Sequence, residues 1–267
     1  MIIKRRGIRP PPGAQIDWGS GLARGMVGCW HLHSPANQQI NLCNAGFPGS
    51  VTGSPTTDQV GLDGIGCKFA DGVYYATGSS ASTDPYNFLN EFSVLASFFW
   101  PTSGFFTGMP ISKVNFSTDG WNVQTDGVTS PVGGLYFYDL EFNTGSFQTA
   151  SAACLVPGML NHVLTTFSTS KSIIVFYANG VRYANGGNNA AAIVSATTTA
   201  RIGDRSSGSG GRAFTSGLSR VVLWNRALTD DEGLLVTNAQ TAYAYMQPSI
   251  LWSVQAPQGG LMGAMCI

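Results

Sequence analysis

Hydrophobic residues along this chain come in short bursts of strand length, divided by Gly, Pro, Ser, Thr and Asn. Gly25–Leu32 is the first such burst, and Phe92–Trp100, halted by Pro101, is the strongest. Gly134–Tyr138 reads as another strand, and Asn161–Phe167 alternates well. Ile173–Ala178 runs into Asn179-Gly180, after which Val181–Tyr183 resumes the pattern. Two strand-like runs joined by Asn-Gly predict a tight hairpin, because both turn positions need positive φ. Ala200–Gly203 and Gly217–Leu223 supply later strands.

Helical signals are concentrated in one place. Thr229 precedes Asp230, Asp231 and Glu232, which predicts an N-cap with Glu232 as its capping-box partner. Acidic residues in that first turn also suit the helix dipole. The helix is expected to run to about Ala244. Many short strands, Gly-rich turns and one late helix predict an all-β, two-sheet antiparallel jelly-roll sandwich. No internal repeat is present, which argues against a solenoid or propeller.

The ends differ from the middle. Residues 1–24 contain Pro10-Pro11-Pro12 and several glycines and are read as an extended arm. Residues 25–246 form the sandwich, and residues 247–267 a second extended tail. The arm holds Lys4, Arg5, Arg6, Arg9 and Arg24 against Asp17, a net charge of +4. The remaining nine basic and thirteen acidic residues give −4, so a basic arm precedes a mildly acidic body. Lys4, Arg5, Arg6 and Arg9 are the candidate docking residues. Without interleaved aromatics they favour an acidic protein surface over nucleic acid.

With 267 residues and 43% hydrophobic composition, the chain can build one large core. Its five cysteines, Cys29, Cys43, Cys67, Cys154 and Cys266, lie far apart without a C-x-x-C pair, and are read as reduced. Lys4-Arg5-Arg6 is not followed by an apolar stretch, and no run approaches a membrane span. The expectation is synthesis in a host cytoplasm without secretion or membrane insertion.

The body resembles the concanavalin A-like, laminin-G-like jelly rolls, of the type found in phage virion proteins. Met26–Trp30 is similar to the family's opening strand, and Lys68–Tyr75 to its F-D-G strand pair. Glu91–Thr102, Asn161–Phe167 and Phe176–Val181 follow in family order. Ile202-Gly203 to Phe214, Gly217 and Val221–Glu232 resemble the closing strand, turn and capped helix. The match covers roughly residues 25–240 and implies two sheets packed face to face, with a concave face on which relatives hold sugars or proteins. At Tyr74 and Tyr75 the family often has acidic residues, and at Leu160 a Trp. Fewer carboxylates leave fewer hard oxygen ligands for a family-type calcium site.

Candidate chemistry is sparse. Asp139 and Glu141 share one face of a strand, as glycosidase carboxylates on this fold do, but no third acid follows. No catalytic residue is assigned on that basis. Asp119 and Asp126 bracket Gly120–Val123 and are the calcium candidates, with two acidic turns around a short strand as the simpler reading. His31 and His33 share a face without further ligands at metal spacing. Trp121, Tyr136, Tyr138 and Trp224 are candidate sugar platforms, set against the commoner role of aromatics as core.

The function expected from these features is a non-enzymatic virion structural protein: a capsid decoration or head- or tail-associated protein, anchored by its arms and displaying a lectin-like sandwich. Its expected partners are other virion proteins and its own copies, with surface glycans as further ligands and without a cofactor. A carbohydrate-binding receptor or adhesion module is the alternative, and a glycoside hydrolase the third reading.

Overall fold

The computed structural model describes residues 14–32, 41–43, 50–59, 65–81, 83–103, 106–115, 119–126, 137–142, 146–150, 153–171, 173–184, 193, 195–205 and 212–247. In chain order its strands are β1 (Met26–His31), β2 (Ser50–Thr52), β3 (Thr56–Gln59), β4 (Ile65–Lys68) and β5 (Tyr74–Thr77). Next come β6 (Glu91–Trp100), β7 (Ile111–Asn115), β8 (Asp119–Asp126), β9 (Phe137–Phe142) and β10 (Ser146–Thr149). Then follow β11 (Met159–Ser168), β12 (Ile173–Ala178), β13 (Val181–Ala184), β14 (Ala200–Ile202) and β15 (Leu218–Trp224). Helix α1 spans Asp230–Thr237, and a 3-10 turn spans Gly21–Ala23.

The strands form two antiparallel sheets. One has the order β13-β12-β11-β6-β15-β4-β3, with β1 also paired to β15, making eight strands. The other has seven, in the order β10-β9-β8-β7-β14-β5-β2. This is the expected sandwich. Trp30, Phe92, Phe98 and Trp100 from the first sheet meet Tyr75, Ile111, Trp121 and Val123 from the second. Aromatics dominate this core. Phe88 and Phe92 stack with centroids 5.1 Å apart, and Trp121 lies within 5.3 and 5.4 Å of them. Each fully buried large apolar side chain contributes roughly 1.5–3 kcal/mol relative to exposure.

The eight-stranded sheet is buried on its other side as well. Cys29, Leu95, Leu164, Tyr177, Val222 and Trp224 face a second cluster, closed by Ile16, Leu22, Val236 and Tyr245. The expected boundary at residue 25 therefore shifts. Residues 14–24 pack into this layer, because Ile16, Leu22 and Ala23 are apolar and find a sheet face to cover. Ile16 bridges Met246, Asp17 N–H donates to the Tyr245 carbonyl, and Gln247 N–H donates to the Gln15 carbonyl. Trp224 Nε1–H donates to the Leu22 carbonyl at 2.7 Å. Only residues 1–13 and 248–267 lie beyond, outside the described residues, and with them Lys4, Arg5, Arg6 and Arg9.

Local signals in the sequence act as expected at two points. Asn179 (φ 54°) and Gly180 (φ 81°) both take positive φ between β12 and β13, which is the hairpin geometry that Asn-Gly tolerates. Thr229 caps α1 by accepting from Glu232 N–H, and the Glu232 carboxylate accepts from Thr229 N–H at 2.9 Å. The helix is shorter than expected, ending at Thr237 rather than near Ala244. Asn238 Oδ1 accepts from Gln240 N–H at 2.9 Å, and this local bond replaces a further helical turn. Successive turns then carry the chain to Met246.

Gly120 shows how tightly the seven-stranded sheet is built. Its φ is +92°, and a Cβ there would lie 1.9 Å from the Lys113 carbonyl oxygen. Gly120→Ala is expected to destabilise the protein by roughly 3 kcal/mol or more. Gly21→Ala, where nothing lies within 4 Å, serves as the control. Urea unfolding of both variants checks this, and similar midpoints for the two would contradict it.

Candidate binding face

Strand pairing across the seven-stranded sheet lines up two kinds of rung. One runs Val51, Tyr75, Ile202, Ile111, Val123, Leu140 and Gln148. Its described members face the core. The next runs Ser50, Ala76, Arg201, Ser112, Asn122, Glu141 and Phe147, and by the period of two it lies on the outer side. A further outer rung pairs Gln124 with Asp139 and Asp139 with Thr149. The outer side of β7, β8 and β9 therefore brings together Ser112, Asn122, Gln124, Asp139 and Glu141.

Ser112 and Arg201, on the same rung, are held firmly. Ser112 Oγ donates to the Asp204 carbonyl at 2.9 Å. The Arg201 guanidinium lies 4.0 Å above the Tyr74 ring, and its Nη1 donates to the Arg205 carbonyl at 2.8 Å. Asn122 and Gln124 are both buried, and Gln124 Oε1 has no hydrogen-bond partner. The Asp139-Leu140-Glu141 spacing thus does place both acidic positions on one side of β9. They are neighbours along a strand and do not face one another across a cleft.

The other sequence candidates fall elsewhere. Trp121 is 1% exposed, stacked in the core with its Nε1–H donating to the Tyr86 carbonyl. It is a core residue and not a sugar platform, because its position on β8 faces the opposite sheet. Trp224 is fully buried in the second cluster for the same kind of reason. Tyr138 pairs with Thr125, at a register position on the core side of β9. Tyr136 and His33 lie outside the described residues. His31 is buried against the C-terminal turns, with Nε2 3.4 Å from the Tyr245 hydroxyl.

Asp119 and Asp126 do not converge on one ion. They end opposite tips of an eight-residue strand, about 23 Å apart at 3.3 Å per residue. The stretch between them is a strand, as in the simpler reading, with Trp121 and Val123 in the core. Asp119 Oδ2 instead accepts from Thr197 Oγ1 at 3.1 Å. The cation near it is Lys113, whose Nζ donates to the Ser79 and Thr198 carbonyls at 2.7 Å each and lies 3.7 Å from Asp84 Oδ2. Burial pulls the Lys113 ammonium down, and the Asp84 and Asp119 charges oppose that shift. Among the described residues no group of three or more His, Cys, Asp or Glu is placed to hold a metal.

A second polar group, which the sequence did not mark, lies beneath the C-terminal turns. Arg220 is 0% exposed. Its Nε and Nη2 donate to Ser97 Oγ at 3.0 and 2.8 Å, and Nη2 lies 3.2 Å from His162 Nδ1. Nη1 donates to the Ala242 carbonyl and to the Tyr245 hydroxyl, and the Tyr243 ring lies 4.3 Å from Cζ. The guanidinium is thereby a latch that fastens the final turns onto β6, β11 and β15. A surface ligand has no access to it.

These features define a class of protein. A family model described as the concanavalin A-like lectin/glucanases superfamily matches residues 71–232, and the chain belongs to that superfamily. Domain 4 of AbnA, an extracellular GH43 arabinanase from Geobacillus stearothermophilus solved with arabinotriose, is a structural neighbour. It has a TM-score of 0.54 at 12% identity, over 82% of this chain and 98% of that one. A mutant of Trypanosoma rangeli sialidase displaying trans-sialidase activity aligns with a TM-score of 0.51 at 15% identity, over 83% of this chain. This chain spans only 33% of that sialidase. A search of curated protein sequences finds none that matches. The structural likenesses establish the fold.

The latch makes stability depend on pH. Burial, and then the Arg220 charge, push the His162 imidazole down from 6.5 to about 3. The unfolded chain therefore takes up this proton first as pH falls. The stability that rests on the neutral imidazole is complete above about pH 6.5 and is lost progressively toward pH 3. Between pH 6.5 and 5 the loss is expected to be about 2 kcal/mol, and His162→Gln is expected to flatten it. Urea midpoints across that range check this, and a native protein with no slope there would contradict a buried neutral His162. Arg220→Met is expected to cost about 2–4 kcal/mol and to speed amide exchange in residues 242–246.

Proposed function

We propose that this chain is a non-catalytic, lectin-like recognition module that a larger particle displays, with a glycan as its ligand. The observation that carries this is the match of residues 71–232 to the concanavalin A-like lectin/glucanases superfamily. Asp139, Glu141 and Arg201 occupy outer register positions of the seven-stranded sheet, next to the buried Asn122 and Gln124. Polyols are recognised by carboxylates at such positions. The neighbouring arabinanase domain, solved with arabinotriose, is consistent with the reading. Asp139 and Glu141 share one side of β9, and the third acid of the glycosidase strand pattern is replaced by Thr144 in the sequence.

A virion decoration or head- or tail-associated role fits the geometry of the ends. Ile16 and Met246 pair on the far side of the eight-stranded sheet, away from the polar face. Residues 1–13 and 248–267 therefore start from the side opposite the proposed ligand face. Docking of Lys4, Arg5, Arg6 and Arg9 on particle proteins would leave that face directed outward. Trp18, 58% exposed on the turn before Leu22, adds an apolar contact on the anchoring side.

Two measurements separate the parts of this proposal. Glycan-array screening of the full chain is expected to yield a ligand, with Glu141→Ala weakening it at least tenfold, about 1.4 kcal/mol. Absence of any ligand would overturn the recognition part. Co-sedimentation with particles is expected to fail for a chain lacking residues 1–13 and to survive Glu141→Ala. Equal co-sedimentation with and without the arm would overturn the anchoring part.

A further inference from the structure

Independently of the glycan reading, we propose that one end of the sandwich holds a cation site which the chain fills with its own ammonium, that of Lys113, so that the native protein needs no divalent ion there. Emptied of that side chain, the same oxygens take calcium. The described polar groups around the ammonium are acceptors. Lys113 Nζ donates to the Ser79 and Thr198 carbonyls at 2.7 Å each, and Asp84 Oδ2 lies 3.7 Å from it. The Lys113 and Asp84 side chains are both fully buried. The Asp119 carboxylate is the next anionic group to act on the ammonium. A charge withdrawn from water this far is tolerated only with such partners, and the partners depend equally on the charge.

The oxygens come from separate segments, and each is fixed by contacts of its own. Lys113 holds a core-side position on β7, and Asp119 opens β8. Ser79 and Asp84 lie between β5 and β6, and Thr198 lies just before β14. Asp84 is pinned on both oxygens: Oδ1 accepts from Tyr86 N–H at 2.7 Å, and Oδ2 accepts from Ser79 N–H. Gly78, with φ +72°, leaves the room this carboxylate occupies, since a Cβ there would collide with Asp84 Oδ2. Asp119 Oδ2 accepts from the hydroxyl of Thr197, the residue before Thr198, at 3.1 Å. Two carbonyls and two carboxylates are the ligand set of a hard cation. The 2.7 Å carbonyl distances lie just beyond the roughly 2.3–2.6 Å of calcium–oxygen bonds and further from the roughly 2.0–2.1 Å that magnesium demands. Charge favours the exchange as well, because two carboxylates overbalance an ammonium and match a divalent ion. Lys113→Ala removes the stem together with the charge, which leaves room for the ion and its waters.

Thermal unfolding of the full chain, native and Lys113→Ala, in EDTA and in calcium chloride tests this, with sodium chloride at matched ionic strength as the reference. The native midpoint is expected to move by less than about 1 °C. Lys113→Ala is expected to melt lower in EDTA and to regain at least about 5 °C with calcium, and less with magnesium. Calorimetric titration with calcium is expected to show one site in Lys113→Ala that the native chain lacks. Two further variants are expected to melt low without a calcium response: Lys113→Met, whose stem still fills the cage, and Lys113→Ala/Asp84→Asn, which lacks a ligand. Should Lys113→Ala not fold in EDTA, its recovery from urea with and without calcium decides, and equal recovery overturns the proposal. A native chain stabilised by calcium, a Lys113→Ala chain indifferent to it, or a Lys113→Met chain rescued as fully as Lys113→Ala likewise overturns it. All of these outcomes are read without a glycan, so the recognition proposal stands or falls separately.

Discussion

Burial of the eight-stranded sheet on both sides is the constraint around which the molecule is arranged. A sheet with one wet side can leave its outward polar groups to water. Here Ser93, Ser97, His162, Thr166 and Arg220 project from the second side into a closed layer. They must find partners within the protein. Ser93 Oγ lies 3.1 Å from Thr166 Oγ1 and donates to the Arg226 carbonyl, while Ser97 and His162 converge on Arg220. The N-terminal segment, the helix and the last turns exist in this arrangement because that layer needs a cover. On the seven-stranded sheet the outer positions Ser112, Asn122 and Gln124 are polar and buried too.

Burial of polar positions on both sheets also limits what could be read from the residues alone. The Asn179-Gly180 hairpin and the Thr229–Glu232 capping box are local devices, fixed by backbone sterics within a few residues, and both were legible. β6 and β11 were legible because long apolar runs have few alternatives to a strand. β7 was not, since Lys113 occupies a core-side position between Ile111 and its neighbours and breaks the alternation. The end of α1 was misjudged because helix propensity past Thr237 competes with an Asn side-chain bond that composition does not display.

The binding face was half legible. Two acids at i and i+2 on a strand had to share a side, whatever the fold. Which residues joined them depended on register between β7, β8 and β9, a non-local property that one sequence does not specify. Asn122 and Gln124 therefore went unnoticed. Trp121 reads as a sugar platform from the sequence because an aromatic pattern shows periodicity without showing which side faces the core. Arg220 was invisible for a related reason. A basic residue within Leu218–Trp224 looks like an exposed strand position until the turns at Ala242–Tyr245 are folded over it.

The pairing of Ile16 with Met246 has a mechanical meaning. When a protein is held by both ends, the applied force enters wherever the two strands of chain first meet. Here they meet at one short bridge, flanked by the Gln247–Gln15 and Asp17–Tyr245 hydrogen bonds. Tension on the two ends would peel these bonds open one at a time, which yields at low force. The long ladders of β6, β11 and β15 carry none of that load until the bridge has parted. Anchored by one end only, the same molecule feels no such peeling and stays closed.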